Sequence, residues 1–327
     1  EAIQWLRDNN LYEQAQNVAN ELKKIFINCL GISNERILII GDKGMNGREI
    51  APILAGGYYL SAQSLNLNAK LVIQEPKSRG NTANIDVRNS IGDLKENNVI
   101  SLNLSDRLGS IPEIGKSFRK FCIKKKFKFI STLGLGSLNT QQIELILSAM
   151  DINYKSLQTQ HSIVRKILDN ANNLHITTEN GTELYFDVKG MKSQSSDGNY
   201  NLPGTGGNLP AGEIFIASNG KKVNGKVVVD GSSKLHTGTI LIKEPITITI
   251  EDGSITEIDG KQEAKALENS LNWASQRAKH PNTVRRVGDF GLGMNPNASI
   301  IGATIIDEKA LGTAHIGIGS NYWFGGS

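Results

Sequence analysis

Cysteine and long apolar runs are scarce in this 327-residue sequence, and each scarcity excludes a class of protein. Cys29 and Cys122 are too few for a disulfide framework, and both lie in apolar surroundings, which predicts reduced, buried thiols. No apolar run approaches the roughly 20 residues that cross a bilayer. We therefore expect no membrane partner and a cytoplasmic location.

Basic residues only slightly outnumber acidic ones, since the formal net charge is only +4. The most basic stretch, residues 119–129, interleaves lysines with phenylalanines, but a helix with a lysine-rich solvent face that runs into a strand explains it better. The glycine-containing loop 41–47 has neither the dinucleotide nor the phosphate-loop spacing. We expect no nucleic-acid partner and no bound nucleotide.

The first half of the sequence predicts a doubly wound α/β domain. Residues 36–41 form a short apolar run that ends in glycine, residues 49–66 carry a helical pattern, and residues 69–76 form a second strand stopped by proline. This order is typical of a parallel strand–helix–strand unit. Further strands are predicted at 99–104 and 128–133, each with a helix nearby.

The pattern changes near residue 172, where apolar and polar residues begin to alternate. An Asn180-Gly181 turn between two alternating segments predicts a β-hairpin, and more short strands follow, interrupted by a helix at 262–279. We therefore predict an α/β domain over residues 1–170 and a β-rich α+β metal-binding domain over residues 171–327.

Three candidate metal ligands lie in glycine-rich segments of the second half. Glu213 follows a Pro-Ala-Gly turn, Asp289 lies between glycines, and His315 is bracketed by Gly312 and Gly317. Proline fixes φ and glycine allows close backbone approach, so such segments hold a side chain in a rigid position. Carboxylates and imidazole together are ligands for a divalent metal ion.

Several segments carry a family resemblance through their order and spacing. They are Asn208-Leu209-Pro210-Ala211-Gly212-Glu213, Gly288-Asp289, Gly291-Leu292-Gly293-Met294-Asn295-Pro296, Asp307-Glu308-Lys309, Gly312-Thr313-Ala314-His315-Ile316 and Gly325-Gly326. In these segments the chain resembles the metal-dependent aminopeptidases typified by aminopeptidase T and aminopeptidase S of thermophilic bacteria. The resemblance extends over nearly the whole sequence.

The resemblance implies roles for four residues. Glu213 matches a metal-binding and catalytic glutamate, Asp289 stands where the family usually has a second glutamate, and His315 matches a metal-binding histidine. Tyr322 matches the tyrosine seven residues beyond that histidine, a metal-site and catalytic residue. The family's last two ligands, a histidine and an aspartate, would follow the position of Ser327, so the C-terminal end is expected to be incomplete.

The same resemblance implies a hydrolase that removes N-terminal residues from a peptide substrate. Two divalent ions (zinc, cobalt or manganese) would activate a water molecule that attacks the first peptide carbonyl. The family also suggests a homodimer.

Two alternatives stay open. A related branch of this architecture comprises iron-dependent ring-cleaving dioxygenases of dihydroxypyridines, which bind a single iron through two histidines and one carboxylate. The acids at Glu213 and Asp289 favour the two-metal aminopeptidase over that branch. A non-catalytic protein that keeps the scaffold is the third hypothesis.

Overall fold

The protein is represented by a computed structural model that describes residues 1–115, 117–219 and 222–320. In these residues the chain is a mixed α/β protein that contains a parallel sheet and several antiparallel sheets. None of the described helices has the length and apolar character required to cross a membrane.

The α-helices are α1 (Ala2–Asp8), α2 (Tyr12–Ile25), α3 (Ile50–Ser64), α4 (Ile85–Gly92), α5 (Phe118–Lys124), α6 (Ile143–Met150), α7 (Tyr154–Leu168), α8 (Gln262–Ser275) and α9 (Thr304–Asp307). The strands are β1 (Ile37–Asp42), β2 (Ala69–Gln74), β3 (Val99–Asn103), β4 (Lys128–Thr132), β5 (Asn173–Thr177), β6 (Glu183–Asp187), β7 (Gln194–Ser196), β8 (Gly206–Asn208), β9 (Glu213–Ala217), β10 (Val223–Val229), β11 (Ser232–Leu235), β12 (Gly238–Leu241), β13 (Ile246–Glu251), β14 (Ser254–Asp259), β15 (Val287–Gly293) and β16 (Ala314–Ile318).

The chain divides into two compact units, and each is built from two separate segments. The first unit combines Glu1–Tyr154 with Gly198–Ala211, and the second combines Lys155–Asp197 with the residues from Gly212 onward. The division into consecutive domains at residue 170 stays a prediction.

The first unit contains a parallel sheet with the strand order β2-β1-β3-β4-β8. Every residue of β1, β3 and β4 is buried, as expected for parallel strands covered on both faces. The sequence predicted the first four strands. It did not predict β8, whose Gly-Gly-Asn sequence carries no apolar pattern, although Gly206 pairs with Phe129 of β4.

Two helices separated by a short turn open the chain. α1 ends at Asp8 and α2 begins at Tyr12, and between them Asn10 adopts a positive φ of 59°. Asparagine tolerates this left-handed conformation better than most residues do, and this allows the chain to turn between the two helices.

The second unit is built from antiparallel strands. One sheet has the order β14-β13-β10-β6-β5, and β13 alternates between buried and partly buried residues, which is typical of a sheet with one covered face. A second sheet has the order β16-β15-β9-β7, and β11 pairs with β12 in a separate hairpin. The candidate site lies on the second sheet.

Candidate metal centre

The register of three neighbouring strands brings the candidate residues to one face of a sheet. Asp289, Gly291 and Gly293 alternate along β15, so they point to the same face. Glu213 of β9 pairs with Gly293, and His315 of β16 pairs with Gly291. Paired residues in antiparallel strands share a face, and therefore the two acids and the histidine converge.

Gly291 and Gly317 make room for the side chains that lie over this face of the sheet, and we call these two residues the glycine floor. A Cβ atom added to Gly291 would lie 2.2 Å from the ring of His315, and one added to Gly317 would lie 2.2 Å from a carboxylate oxygen of Asp289. Each of these two side chains therefore lies directly over a glycine of the neighbouring strand, where any larger residue would displace it.

Glu213 is held at both of its carboxylate oxygens. Its Oε1 lies 3.1 Å from Nε2 of His315, and its Oε2 accepts a hydrogen bond of 2.7 Å from the Nζ of Lys309. Lys309 also forms an ion pair with Glu308, its neighbour in sequence. The Lys309 side chain is fully buried and Glu213 is nearly so, so the ion pair between these two residues is shielded from solvent.

The pKa values in the network favour charged groups. Burial raises the pKa of Glu213, but the charge of Lys309 and the hydrogen bond to His315 outweigh it, and the net pKa is lowered. For His315 and Lys309, burial acts to lower the pKa, while Glu213 and Glu308 raise it above the ordinary value of each group. The site thus stabilises a compensated cluster of ions.

Asp289 differs from the other acids. Its pKa is raised to about 6, chiefly by burial and in smaller part by the negative charges of Glu213 and Glu308, while His315 acts to lower it. A carboxyl group with this pKa exchanges a proton near neutral pH.

Three residues have ligand atoms close enough to share a metal ion. One carboxylate oxygen of Glu213, one of Glu308 and a ring nitrogen of His315 lie within 4.8 Å of one another. In the described chain, the buried Nδ1 of His315 has no hydrogen-bond partner. Two oxygen donors and one imidazole fit a divalent first-row metal, so the residues present are suited to a metal centre.

The predicted site residues have different outcomes. Glu213 and His315 are brought into direct contact, and Asp289 shares their sheet face without joining the group of three. Tyr322 lies outside the described residues. Their roles as ligands or catalytic groups stay predictions.

Sequence analysis missed the importance of Glu308 and Lys309. Glu308 is the third member of the ligand group, and Lys309 forms ion pairs with both glutamates. The available signal was an adjacent acid and base, seven and six residues before His315, at the end of a short helix. An adjacent lysine and glutamate usually form a solvated surface pair, so the sequence gives no indication that this lysine is buried.

A second buried histidine lies close to this sheet. His161 of α7 places its Nδ1 2.8 Å from the hydroxyl of Ser195 on β7, the strand that pairs with β9. Burial lowers the pKa of His161 to about 4, and the nearby charges of Asp197 and Glu213 oppose this shift only in part. His161 is therefore neutral at physiological pH.

Comparison with known protein families identifies the family of this chain. Residues 145–316 match the family of 2,5-dihydroxypyridine 5,6-dioxygenases (NicX), over slightly more than half of the sequence. The chain belongs to this family. The matched region includes Glu213, Asp289, Glu308 and His315. A search of curated protein sequences finds no significant match.

Two solved structures share the fold of this family member. The 2,5-dihydroxypyridine dioxygenase from Pseudomonas putida KT2440 superposes with a TM-score of 0.73 at 15% identity, covering 96% of this chain and 89% of that one. AmpT from Thermus thermophilus superposes with a TM-score of 0.57 at 16% identity, covering 92% and 85%. The resemblance to aminopeptidase T therefore holds for the fold.

The assignment to the aminopeptidases was wrong, because the family match and the dioxygenase structure favour the ring-cleaving alternative. The expected peptide hydrolase is therefore replaced by a member of a dioxygenase family. The physical reason is the environment of Glu213. In the sequence, Glu213 and Asp289 look like spare carboxylates for a second metal, whereas in the structure Glu213 already has a buried cation, Lys309, on one oxygen.

Proposed function

We propose that this protein is a metal-dependent dioxygenase that opens a hydroxylated pyridine ring by inserting dioxygen. The observation that carries the proposal is the family match, since residues 145–316 contain every described residue of the ligand group. The likeness to the solved dioxygenase supports the fold on which such a centre is built.

Glu213, Glu308 and His315 are the residues that would hold the ion, and ferrous iron is the ion we propose. Iron held there would supply the one-electron chemistry that lets dioxygen react with an electron-rich ring. Zinc, cobalt and manganese, and a second ion, were predicted for the hydrolase. A single iron replaces them in this proposal. The second histidine of a two-histidine iron centre is not among the three described ligand residues.

In this proposal, side chains of the protein set the charge of the ligands, accept a proton and hold one another in position. Lys309 keeps Glu213 ionised and forms an ion pair with Glu308, which holds the two carboxylates near each other. Asp289, on the same sheet face, is proposed to receive the proton of a ring hydroxyl. Gly291 and Gly317 let the His315 ring and the Asp289 carboxylate lie close against the neighbouring strands, which fixes the positions of both side chains.

Oxygen uptake is the test. The full-length protein is loaded anaerobically with ferrous iron, mixed with 2,5-dihydroxypyridine in aerated buffer, and followed by an oxygen electrode and by loss of ring absorbance. Zinc- and cobalt-loaded protein with a panel of short peptides is the matched control. We expect oxygen uptake with iron and no release of N-terminal residues. No oxygen uptake by protein shown to contain iron would contradict the proposal. If neither oxygen uptake nor peptide cleavage is detected, the non-catalytic scaffold is favoured.

The predictions of a homodimer, of a cytoplasmic location, and of no nucleic-acid or membrane partner stay predictions. Gel filtration with light scattering tests the first of them directly, since it measures the mass of the particle in solution.

A further inference from the structure

Lys309 has a position that the proposed reaction does not require. Its side chain is fully buried, and its Nζ contacts carboxylate oxygens of both Glu213 and Glu308. A buried ammonium is costly unless it is paired. This lysine is therefore fixed between two of the three residues that would hold the metal.

The two oxygens of Glu213 face different partners. Oε2 accepts from Lys309, at 2.7 Å, and Oε1 faces His315, at 3.1 Å. In a two-metal centre, bridging carboxylates hold two ions about 3.5–4 Å apart. Here an ammonium that cannot leave the chain already occupies one side of that carboxylate, so only the side facing His315 is available to an ion.

Charge balance leads to the same conclusion. Without a cation, the carboxylates of Glu213 and Glu308 would repel each other in a site of low solvent exposure. Lys309 removes one unit of negative charge permanently, before any metal binds. Of the negative charges on Glu213, Glu308 and Asp289, two then remain, which one divalent ion balances, whereas a second ion would add two uncompensated positive charges.

We infer that Lys309 is the built-in second cation of this centre, which lets the two glutamates fold without metal and limits the site to one metal ion. The inference rests on the proposed function only in taking Glu213, Glu308 and His315 as metal ligands. Lys309 is in this account a positioning residue.

Cobalt binding to the full-length chain, without substrate, tests the inference. For the natural sequence, calorimetric titration and elemental analysis after desalting should both give one Co²⁺ per chain. For Lys309→Met, which keeps the length of the side chain and removes the charge, the melting temperature without metal should fall by roughly 10 °C. Saturating Co²⁺ should then raise it at least about twice as far as in the natural sequence.

Two further variants control for simple disruption. Lys309→Arg retains the charge and should keep one Co²⁺ per chain with a natural Co²⁺-induced shift. The double variant Lys309→Met/Glu308→Gln removes the cation together with one acid that it neutralises, so its melting temperature without metal should recover most of the loss. Folding of Lys309→Met only in the presence of Co²⁺ would also support the inference.

Two Co²⁺ per chain in the natural sequence would overturn the inference, and so would an equal Co²⁺-induced shift in Lys309→Met. If Lys309→Met fails to fold even with Co²⁺, the ion count in the natural sequence and the double variant decide. These results are separate from the proposed function: one bound ion without ring cleavage would contradict only the dioxygenase.

Discussion

Two buried acids of this protein, one in each unit, are held in opposite ways. Asp42, at the end of β1, is fully buried and accepts hydrogen bonds from the backbone N–H of Gly44 and from both the N–H and the hydroxyl of Ser105. All three donors are uncharged. Glu213 instead has the cation of Lys309 on one oxygen and the ring of His315 facing the other.

The difference separates a structural acid from a proposed metal ligand. The partners of Asp42 are satisfied within the fold, and burial raises its pKa although these hydrogen bonds oppose the shift. The partners of Glu213 are charged, and a ring nitrogen of His315 is left buried without a hydrogen bond in the described chain. A site that is unsatisfied and rich in charge is suited to an ion that arrives later.

The largest effect should come from removing the charge of Glu213. Glu213→Gln keeps the size of the side chain but loses the anionic ligand, so we expect iron content near zero and ring cleavage lower by on the order of 100-fold or more. Asp42→Asn is the matched amide substitution, and its iron content should stay within about twofold of the natural protein. Metal analysis after desalting measures both, and equal iron content in the two variants would break the comparison.

The second effect concerns the glycine floor. A methyl group at Gly291 would lie against the end of the His315 ring, which can swing aside. We therefore expect Gly291→Ala to lower iron affinity by about tenfold or more while largely keeping the fold. Gly92→Ala is the control, since no atom lies within 4 Å of the added carbon there. Unchanged affinity in Gly291→Ala would show that the ring position over this glycine is not important.

The third prediction concerns Asp42 and the stability of the fold. In Asp42→Asn, the amide group cannot accept all three hydrogen bonds, so the free energy of unfolding should fall by about 1–3 kcal/mol. Urea denaturation followed by circular dichroism measures this loss. Ser105→Ala, which removes only the hydroxyl donor, should lie between the variant and the natural protein. A neutral Asp42→Asn would mean that this acid is not a structural one.

The smallest effect is a pH dependence from His161. Because burial lowers its pKa to about 4, below the value in the unfolded chain, its contribution to stability is present above about pH 6.5 and is lost as the pH falls toward 4. Between pH 7 and pH 6 the expected loss is about 0.7 kcal/mol.

Comparison of variants isolates this contribution. His161→Asn, which can keep the hydrogen bond to Ser195, should lose that part of the pH dependence of unfolding. His280→Asn, at an exposed position, should retain it. Identical pH profiles for the natural protein and His161→Asn would show that His161 does not titrate as its burial implies.

Particular elements show what the sequence could predict. β1 and β13 could be predicted. A strand buried on both faces begins with a continuous apolar run, as in residues 37–40 of β1, and a strand buried on one face alternates, as in β13. β8 and the two-segment construction of each unit could not be predicted, since pairing over long sequence separation leaves no local signal.

The site was predictable to a similar extent. Glu213, Asp289 and His315 could be selected by residue type and by their glycine neighbours, and the strand register brings them to one face. Lys309, the ion-pair partner of Glu213 and Glu308, was not predictable, because its burial depends on how α9 and the turn after it pack. Without that lysine, the acids suggested two metals and the wrong reaction.

Isotope labelling tests the central claim most directly. Iron-loaded protein is given 2,5-dihydroxypyridine under ¹⁸O₂, and the mass of the ring-opened product is measured by mass spectrometry. The account predicts one O₂ consumed for each ring opened, with both labelled oxygen atoms in the product. A product without label, or opened with oxygen from water, would contradict a dioxygenase built on Glu213, Glu308 and His315.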